Sequence, residues 1–323
     1  MTGRILAIAE KELAVGNHLA AVTLVEDAAR ADDVDAIMQL AVWHLLGTPL
    51  RRDLVAARAL LKRAVAIGHV DGALMEIALT ANGSGGSIDW PAASHLLRIA
   101  AKSDYVAAGQ LALLDRMNLG DDGFPNKPAQ LEELSRLPNV WRIDRFLTPD
   151  ECRHIADTAA PLLEPATVID PSTKMAVANP IRTSDGAAIG PTREDLVVRA
   201  VNHRIAAASE TPVENGEPLT ILRYGIGQQY RPHVDTLPAA RNQRVRTMLI
   251  YLNQGYGGGA TQFLANGLTV RCNAGDAILF DNVLPDGTPD MSSRHAGQPV
   301  TSGSKWIATR WIRATRHDPW AAH

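Results

Sequence analysis

The sequence has few cysteines, almost no net charge and no long apolar run, and each absence removes a class of protein. Among 323 residues only Cys152 and Cys272 are cysteines, and neither belongs to a Cys-x-x-Cys pair. That excludes a disulfide framework and a thiolate zinc site, and the two thiols read as reduced, in a cytoplasmic protein. Lys and Arg number 32 against 35 Asp and Glu, a formal charge of −3. With no basic excess to gather a polyanion, nucleic acid is not an expected partner. No stretch approaches the roughly 18 uncharged apolar residues needed to span a bilayer. Glu10, Lys11 and Glu12 fall where a secretory signal would continue its apolar core, so neither a leader nor a membrane association is expected.

What is present is the composition of an ordinary globular protein, 46% hydrophobic and 21% charged. The length suits two domains better than one. Residues 1 to about 118 are rich in Ala and Leu at helical spacing, and the pattern returns. Asp53, Ala56, Ala57, Leu61 and Ala64 are matched 36 positions later by Asp89, Ala92, Ala93, Leu97 and Ala100. Looking back by the same step, Ala20, Ala21 and Ala28 pair with Ala56, Ala57 and Ala64. Each unit reads as two amphipathic helices, such as Asp35 to Leu46 and Leu54 to Ile67, joined by the turn Gly-Thr-Pro-Leu at 47–50. The sequence from Leu40 to Gly68 resembles a Sel1-like repeat, a relative of the tetratricopeptide family: Leu-x-x-x-x-Leu-Leu-Gly, Asp-x-x-x-Ala, then Lys-x-Ala-x-x-x-Gly. The second copy departs from it at Asn-Gly-Ser-Gly-Gly-Ser, 82–87. Such a solenoid offers a surface for a peptide or protein partner, or serves as a scaffold capped by its neighbour.

After Asn118 a polar run rich in Gly and Pro ends the helical pattern. The expected organisation is a repeat domain over 1–120, a linker over 121–138 and a second domain over 139–323. The second domain opens with the strand-like Val140 to Phe146 and a helix capped near Thr148–Asp150, with a further helix over Arg193 to Ala208. After Pro218 come short strands, among them Leu219–Tyr224, Thr247–Asn253, Ala277–Phe280 and Lys305–Arg313, separated by Gly and Pro. That spacing predicts a sandwich or jelly roll rather than parallel α/β.

The sharpest chemical signal is His233-Val-Asp235. On an extended strand, positions i and i+2 share a face, so an imidazole and a carboxylate would enter one cavity together. Alone the pair is as readily a hydrogen-bonded surface contact. A second element stands 62 residues on, Ser-Arg-His295-Ala-Gly, followed ten residues later by Lys305 at the head of an apolar strand. Two histidines and a carboxylate can hold one face of an iron(II) octahedron and leave three positions open. A keto acid can take two of these and O2 the third, with Lys305 as the cation for the keto acid's far carboxylate. The alternative for Lys305 is a snorkelling residue on a sheet edge.

With these residues in place, the run Glu214 to Asp235, Arg246 to Asn253, Gly257 to Phe263, Gly275 to Phe280 and His295 through Ile312 resemble the prolyl 4-hydroxylases, iron(II)- and 2-oxoglutarate-dependent oxygenases, in order. The resemblance implies an α+β multidomain chain, an N-terminal α-solenoid of helical hairpins followed by a double-stranded β-helix (jelly-roll) oxygenase domain. It implies His233, Asp235 and His295 as iron ligands and Lys305 as the anchor of 2-oxoglutarate. Tyr224, Tyr251 and Thr261 would line the cosubstrate pocket, although a tyrosine packed in the core with its hydroxyl to the backbone would look the same in sequence. Arg244, Tyr230 and Trp311 match peptide-contacting positions. The cofactors implied are iron(II), 2-oxoglutarate and O2, with ascorbate as candidate reductant, and the implied substrate is a protein or peptide, proline foremost. Leu264 stands where the family commonly has proline, and Arg294 where an apolar residue precedes the histidine. The alternatives are hydroxylation of another residue or of a small molecule, or a repeat-based binding scaffold without turnover. His203, His317 and His323 lack such context and read as surface residues.

Overall fold

A computed structural model describes residues 2–169 and 175–321. The chain forms two compact units, residues 1–123 with Pro191–Arg199, and residues 124–190 with 200–323. A single linear boundary does not anticipate the return of Pro191–Arg199 to the first unit.

The first unit is built from α1 (Thr2–Ala14), α2 (His18–Arg30), α3 (Val34–Leu46), α4 (Leu54–Ala66), α5 (Val70–Asn82), α6 (Trp90–Ala100) and α7 (Tyr105–Leu114). Each helix packs on the next in sequence, the arrangement of a solenoid. The 36-residue period now has a physical cause. Asp53 and Asp89 are N-caps, each accepting a 2.9 Å hydrogen bond from the amide three residues on, Ala56 and Ala92. Gly47 and Gly83 close α3 and α5 in the left-handed conformation. Ala57, Leu61, Ala93 and Leu97 are fully buried, so the recurring small and apolar positions are the contacts between helices. Helices α3 and α4 lie within one residue of their expected ends.

The second unit contains β1 (Glu132–Arg136), β2 (Asn139–Ile143), α8 (Pro149–Ala159), β3 (Glu164–Pro165), β4 (Thr167–Ile169), β5 (Ala176–Ala178) and β6 (Asp185–Ile189). Helix α9 (Leu196–Ser209) leads to β7 (Leu219–Tyr224), β8 (Tyr230–His233), β9 (Arg244–Tyr251), β10 (Gly257–Gly258), β11 (Thr261–Phe263) and β12 (Thr269–Val270). The chain closes through β13 (Ala277–Asp281), β14 (His295–Gly297), β15 (Val300–Ser302) and β16 (Lys305–Arg313). A large sheet runs β1-β2-β13-β9-β16-β7-β6-β3 and a smaller one β12-β11-β14-β8. Leu222, Leu249, Tyr251, Ile278 and Ile307 of the large sheet pack with Phe263 and Val270 of the small one, which is the jelly-roll core expected from the strand pattern.

Several boundaries differ from expectation for identifiable reasons. The segment expected as linker, 121–138, ends in a strand: β1 pairs antiparallel with β2, from Glu132 opposite Arg142. Its own residues, Glu-Glu-Leu-Ser-Arg, are too polar to announce a strand, and the partner supplies the order. Strand β9 starts at Arg244 rather than Thr247 because Arg244 and Arg246 are neutralised by Glu217 and Asp281. Helix α8 has a full capping box, Thr148 with Glu151. Asp195 accepts from the Val198 amide and starts α9 after the expected Arg193. His203 is not a surface residue: it is 2% exposed and stacks on Phe124 at 4.2 Å between ring centroids. His317 is half-buried, and His323 lies outside the described residues.

Candidate active site

Register brings the first two candidate ligands together. In the pairing of β14 with β8, His295 stands directly opposite His233, and the imidazole centroids are 4.3 Å apart. Asp235 lies beyond the end of β8, in a bend rather than on the strand, yet its Oδ1 is 3.5 Å from His233 Nε2. The three side chains offer ligand atoms that all lie within 4.8 Å of one another.

Both imidazoles are oriented by the same local device. His233 Nδ1 lies 2.8 Å from the Arg231 carbonyl and His295 Nδ1 lies 3.0 Å from the Ser293 carbonyl. A carbonyl can only accept, so each Nδ1 carries the proton and each Nε2 keeps a lone pair for a metal. Rings pack around them: Tyr230 stacks on His233 at 3.5 Å, and Phe280 meets His295 edge-on at 4.9 Å. Burial would raise the Asp235 carboxyl, but the neighbouring side chains of His233 and His295 and the hydrogen bond from Thr247 hold it well below the usual carboxylate range. Burial lowers the His295 imidazole to about 4, against the pull of Asp235. Anionic Asp235 and neutral His295 are the forms that bind a divalent cation. A carboxylate and two imidazoles suit iron(II), and among the described residues this is the one cluster of its kind.

The cavity lined by the triad is also lined by Tyr224, Thr261, Lys305, Thr309 and Trp311. Lys305 does not snorkel at an edge. Strand β16 lies between β9 and β7, and Lys305 is 3% exposed. Its Nζ donates to the Gly259 carbonyl at 2.7 Å and sits 5.0 Å from the Tyr251 ring centroid. Gly259 has φ +64°, and a Cβ there would come within 3.1 Å of Lys305 Cδ, so a larger residue would push the lysine aside. Burial lowers the Lys305 ammonium to about 8. Tyr224 stands opposite Lys305 in the β7–β16 register. Tyr251 shares a 2.8 Å hydrogen bond with Thr261 Oγ1, so its hydroxyl faces a side chain rather than the backbone. Burial raises the phenols of both tyrosines, which stay neutral donors.

Of the three expected peptide contacts, Tyr230 and Trp311 line the cavity, whereas Arg244 is already engaged. Arg244 makes a bidentate pair with Glu217 at 2.7 and 2.8 Å, and its guanidinium lies 4.0 Å over the Trp311 ring. Arg313 reaches the same carboxylate at 2.5 Å. Burial would raise the Glu217 carboxyl, but the hydrogen bond and charge of Arg244, with Arg313 behind it, lower it. Leu264 and Arg294, the two departures from the family pattern, are both exposed and joined by a backbone hydrogen bond of 3.0 Å.

Sequence reasoning missed Glu217, Thr247, Asn282 and Thr309. Glu217 sits inside the quoted run from Glu214 to Asp235 and was readable as a partner for an arginine. Thr309 occupies an inward position of β16 between Lys305 and Trp311, and the period of two could have found it. Thr247 and Asn282 carry no spacing signal.

Residues 219–313 match the family described as the 2OG-Fe(II) oxygenase superfamily. The chain is 37% identical over 201 residues to prolyl 4-hydroxylase 1 of Arabidopsis thaliana, covering 56% of this chain and 71% of that protein. Among solved structures it is similar to the viral collagen prolyl hydroxylase of Paramecium Bursaria Chlorella virus-1 in complex with 2OG, with a TM-score of 0.43 and 25% identity over 55% of this chain and 96% of that one. A Sel1 repeat protein from Oxalobacter formigenes aligns with 34% of this chain and 87% of its own length, at a TM-score of 0.31 and 17% identity.

Proposed function

Since this chain belongs to the prolyl 4-hydroxylase family of iron(II)- and 2-oxoglutarate-dependent oxygenases, we propose that it hydroxylates a peptidyl residue, proline foremost, in the cavity lined by His233, Asp235 and His295. The observation that carries this reading is a buried ammonium in the same cavity as three converging metal ligands. A buried cation hydrogen-bonded to a neutral carbonyl calls for an anion. A dicarboxylate that chelates a metal with one end and meets Lys305 with the other satisfies both.

Bound at the triad, iron(II) with 2-oxoglutarate supplies the oxidation by O2 that hydroxylates a C–H bond and releases succinate and CO2. This chain's residues do the rest. His233, Asp235 and His295 would hold one face of the metal and leave the other open. Lys305, with Tyr224 and the Tyr251–Thr261 pair, would receive the far carboxylate as charged and neutral donors. Trp311, under the Arg244 guanidinium that Glu217 holds, and Tyr230, stacked on His233, would give aromatic surfaces beside the triad, the kind that bind a proline-rich extended chain. The helical repeats present an extended surface suited to a protein partner.

The test is O2-dependent succinate release with proline-containing peptides, followed by mass spectrometry of the peptide. Wild type is expected to add one oxygen to a proline, and His233→Ala and Asp235→Ala to lose both products. Oxygen placed only on another residue, with every proline untouched, would overturn the proline assignment and leave the oxygenase assignment standing.

A further inference from the structure

Asp235 has two carboxylate oxygens, and one is already taken. Oδ1 faces His233 Nε2 at 3.5 Å, while Oδ2 accepts a 2.6 Å hydrogen bond from the Thr247 hydroxyl. Thr247 is fully buried on β9, and its Oγ1 in turn accepts from Asn282 Nδ2 at 2.8 Å. Asn282, also fully buried, follows β13 and is fixed through its backbone: its amide donates to the Val245 carbonyl at 2.8 Å and its carbonyl accepts from Asp290 at 2.9 Å.

The direction of the hydroxyl proton follows from valence. A threonine hydroxyl has one proton, and the Asn282 NH2 can only donate. Thr247 therefore accepts from Asn282 and must spend its proton on Asp235 Oδ2. The reversed amide would take that proton and set the hydroxyl lone pairs against an ionised carboxylate, so the charge on Asp235 selects the orientation seen.

We infer that Asn282 and Thr247 are positioning residues that hold Asp235 as a one-oxygen ligand, Oδ1 toward the metal and Oδ2 withheld. The inference rests on the metal-site reading above and extends it. A carboxylate free to turn could bring both oxygens to the metal and close one of the three positions that the keto acid and O2 require. Neither residue lines the cavity; each acts through Asp235. Groups that orient metal ligands in this way typically carry about 10- to 100-fold in metal affinity.

The experiment is anaerobic titration of the full chain with cobalt(II), read by visible absorption, for wild type, Thr247→Val, Thr247→Ser and Asn282→Asp, with thermal unfolding of each apoprotein alongside. Thr247→Val keeps the shape and removes the proton; it is expected to bind cobalt about 10- to 100-fold more weakly and with an altered d–d spectrum. Thr247→Ser restores both. Asn282→Asp offers an acceptor where Thr247 needs a donor and is expected to reproduce the Thr247→Val spectrum. A folded Thr247→Val with wild-type affinity and spectrum overturns the inference; should that variant fail to fold, a wild-type spectrum in Asn282→Asp overturns it instead. No cobalt uptake by wild type removes the metal-site reading and this inference with it.

Discussion

Raising the pH from 7 to 9 should weaken 2-oxoglutarate binding by about a factor of ten, and the structure supplies the reason. Lys305 is buried in the cavity, and desolvation brings its ammonium down to about 8. A dicarboxylate needs the charged form, and once bound it stabilises that charge, so the ammonium of the complex titrates at higher pH. Below the lowered value the cation is present and binding is at full strength; above it a proton must be taken up first. The apparent Kd then scales with one plus the ratio of neutral to charged lysine, which is about 1.1 at pH 7 and about 11 at pH 9. Both carboxylates of the ligand are ionised throughout, so the change belongs to the protein. The assay is isothermal titration with 2-oxoglutarate in the presence of saturating manganese(II) without O2, at intervals across this window. Lys305→Met should bind weakly and lose the slope. A flat wild-type Kd, or an equal slope in Lys305→Met, would refute the role given to this lysine.

Two other expectations follow from particular contacts. Asp89→Ala removes the N-cap of α6 and should cost about 1 kcal/mol in urea unfolding of the full chain, while 2-oxoglutarate affinity stays at the wild-type value because the cap lies in the repeat unit. Glu217→Gln leaves Arg244 and Arg313 without their shared negative charge; the platform over Trp311 should loosen, raising KM for a peptide about tenfold, a loss of roughly 1.4 kcal/mol, with KM for 2-oxoglutarate unchanged. A parallel rise in both constants would place Glu217 in general stability rather than at the peptide surface.

Much of the fold was legible because its signals are local. Helices α3 and α4 announce themselves through alanines one helical face wide, and the sheet strands through apolar runs cut by Gly and Pro. What local pattern cannot carry is order imposed from outside an element. Strand β1 is polar and exists because β2 pairs with it. The arginines that open β9 look like loop residues until Glu217 and Asp281, 27 and 35 positions away, are seen to neutralise them. His203 looks like a solvent histidine because its stacking partner, Phe124, lies in the segment expected to be a linker.

The site divides along the same line. His233 and Asp235 are two residues apart, and the spacing from His295 to Lys305 is that of two strands and a turn, β14 through the head of β16, so the elements that bear chemistry leave a mark in sequence order. The groups that aim them do not. Thr247 stands 12 residues from Asp235 and Asn282 a further 35 along the chain, joined only because β13 lies beside β9 in the large sheet. A buried threonine on a strand looks like any β-branched core residue, and an asparagine after a strand looks like any turn former. Their hydrogen bonds are properties of the register, not of either residue. The hydrogen bond from Thr247 leaves the other carboxylate oxygen facing His233, so the pairing of β9 with β13 reaches the metal site through two hydrogen bonds, and a change that slipped it by one residue would part Asn282 from Thr247 while leaving every liganding residue in place.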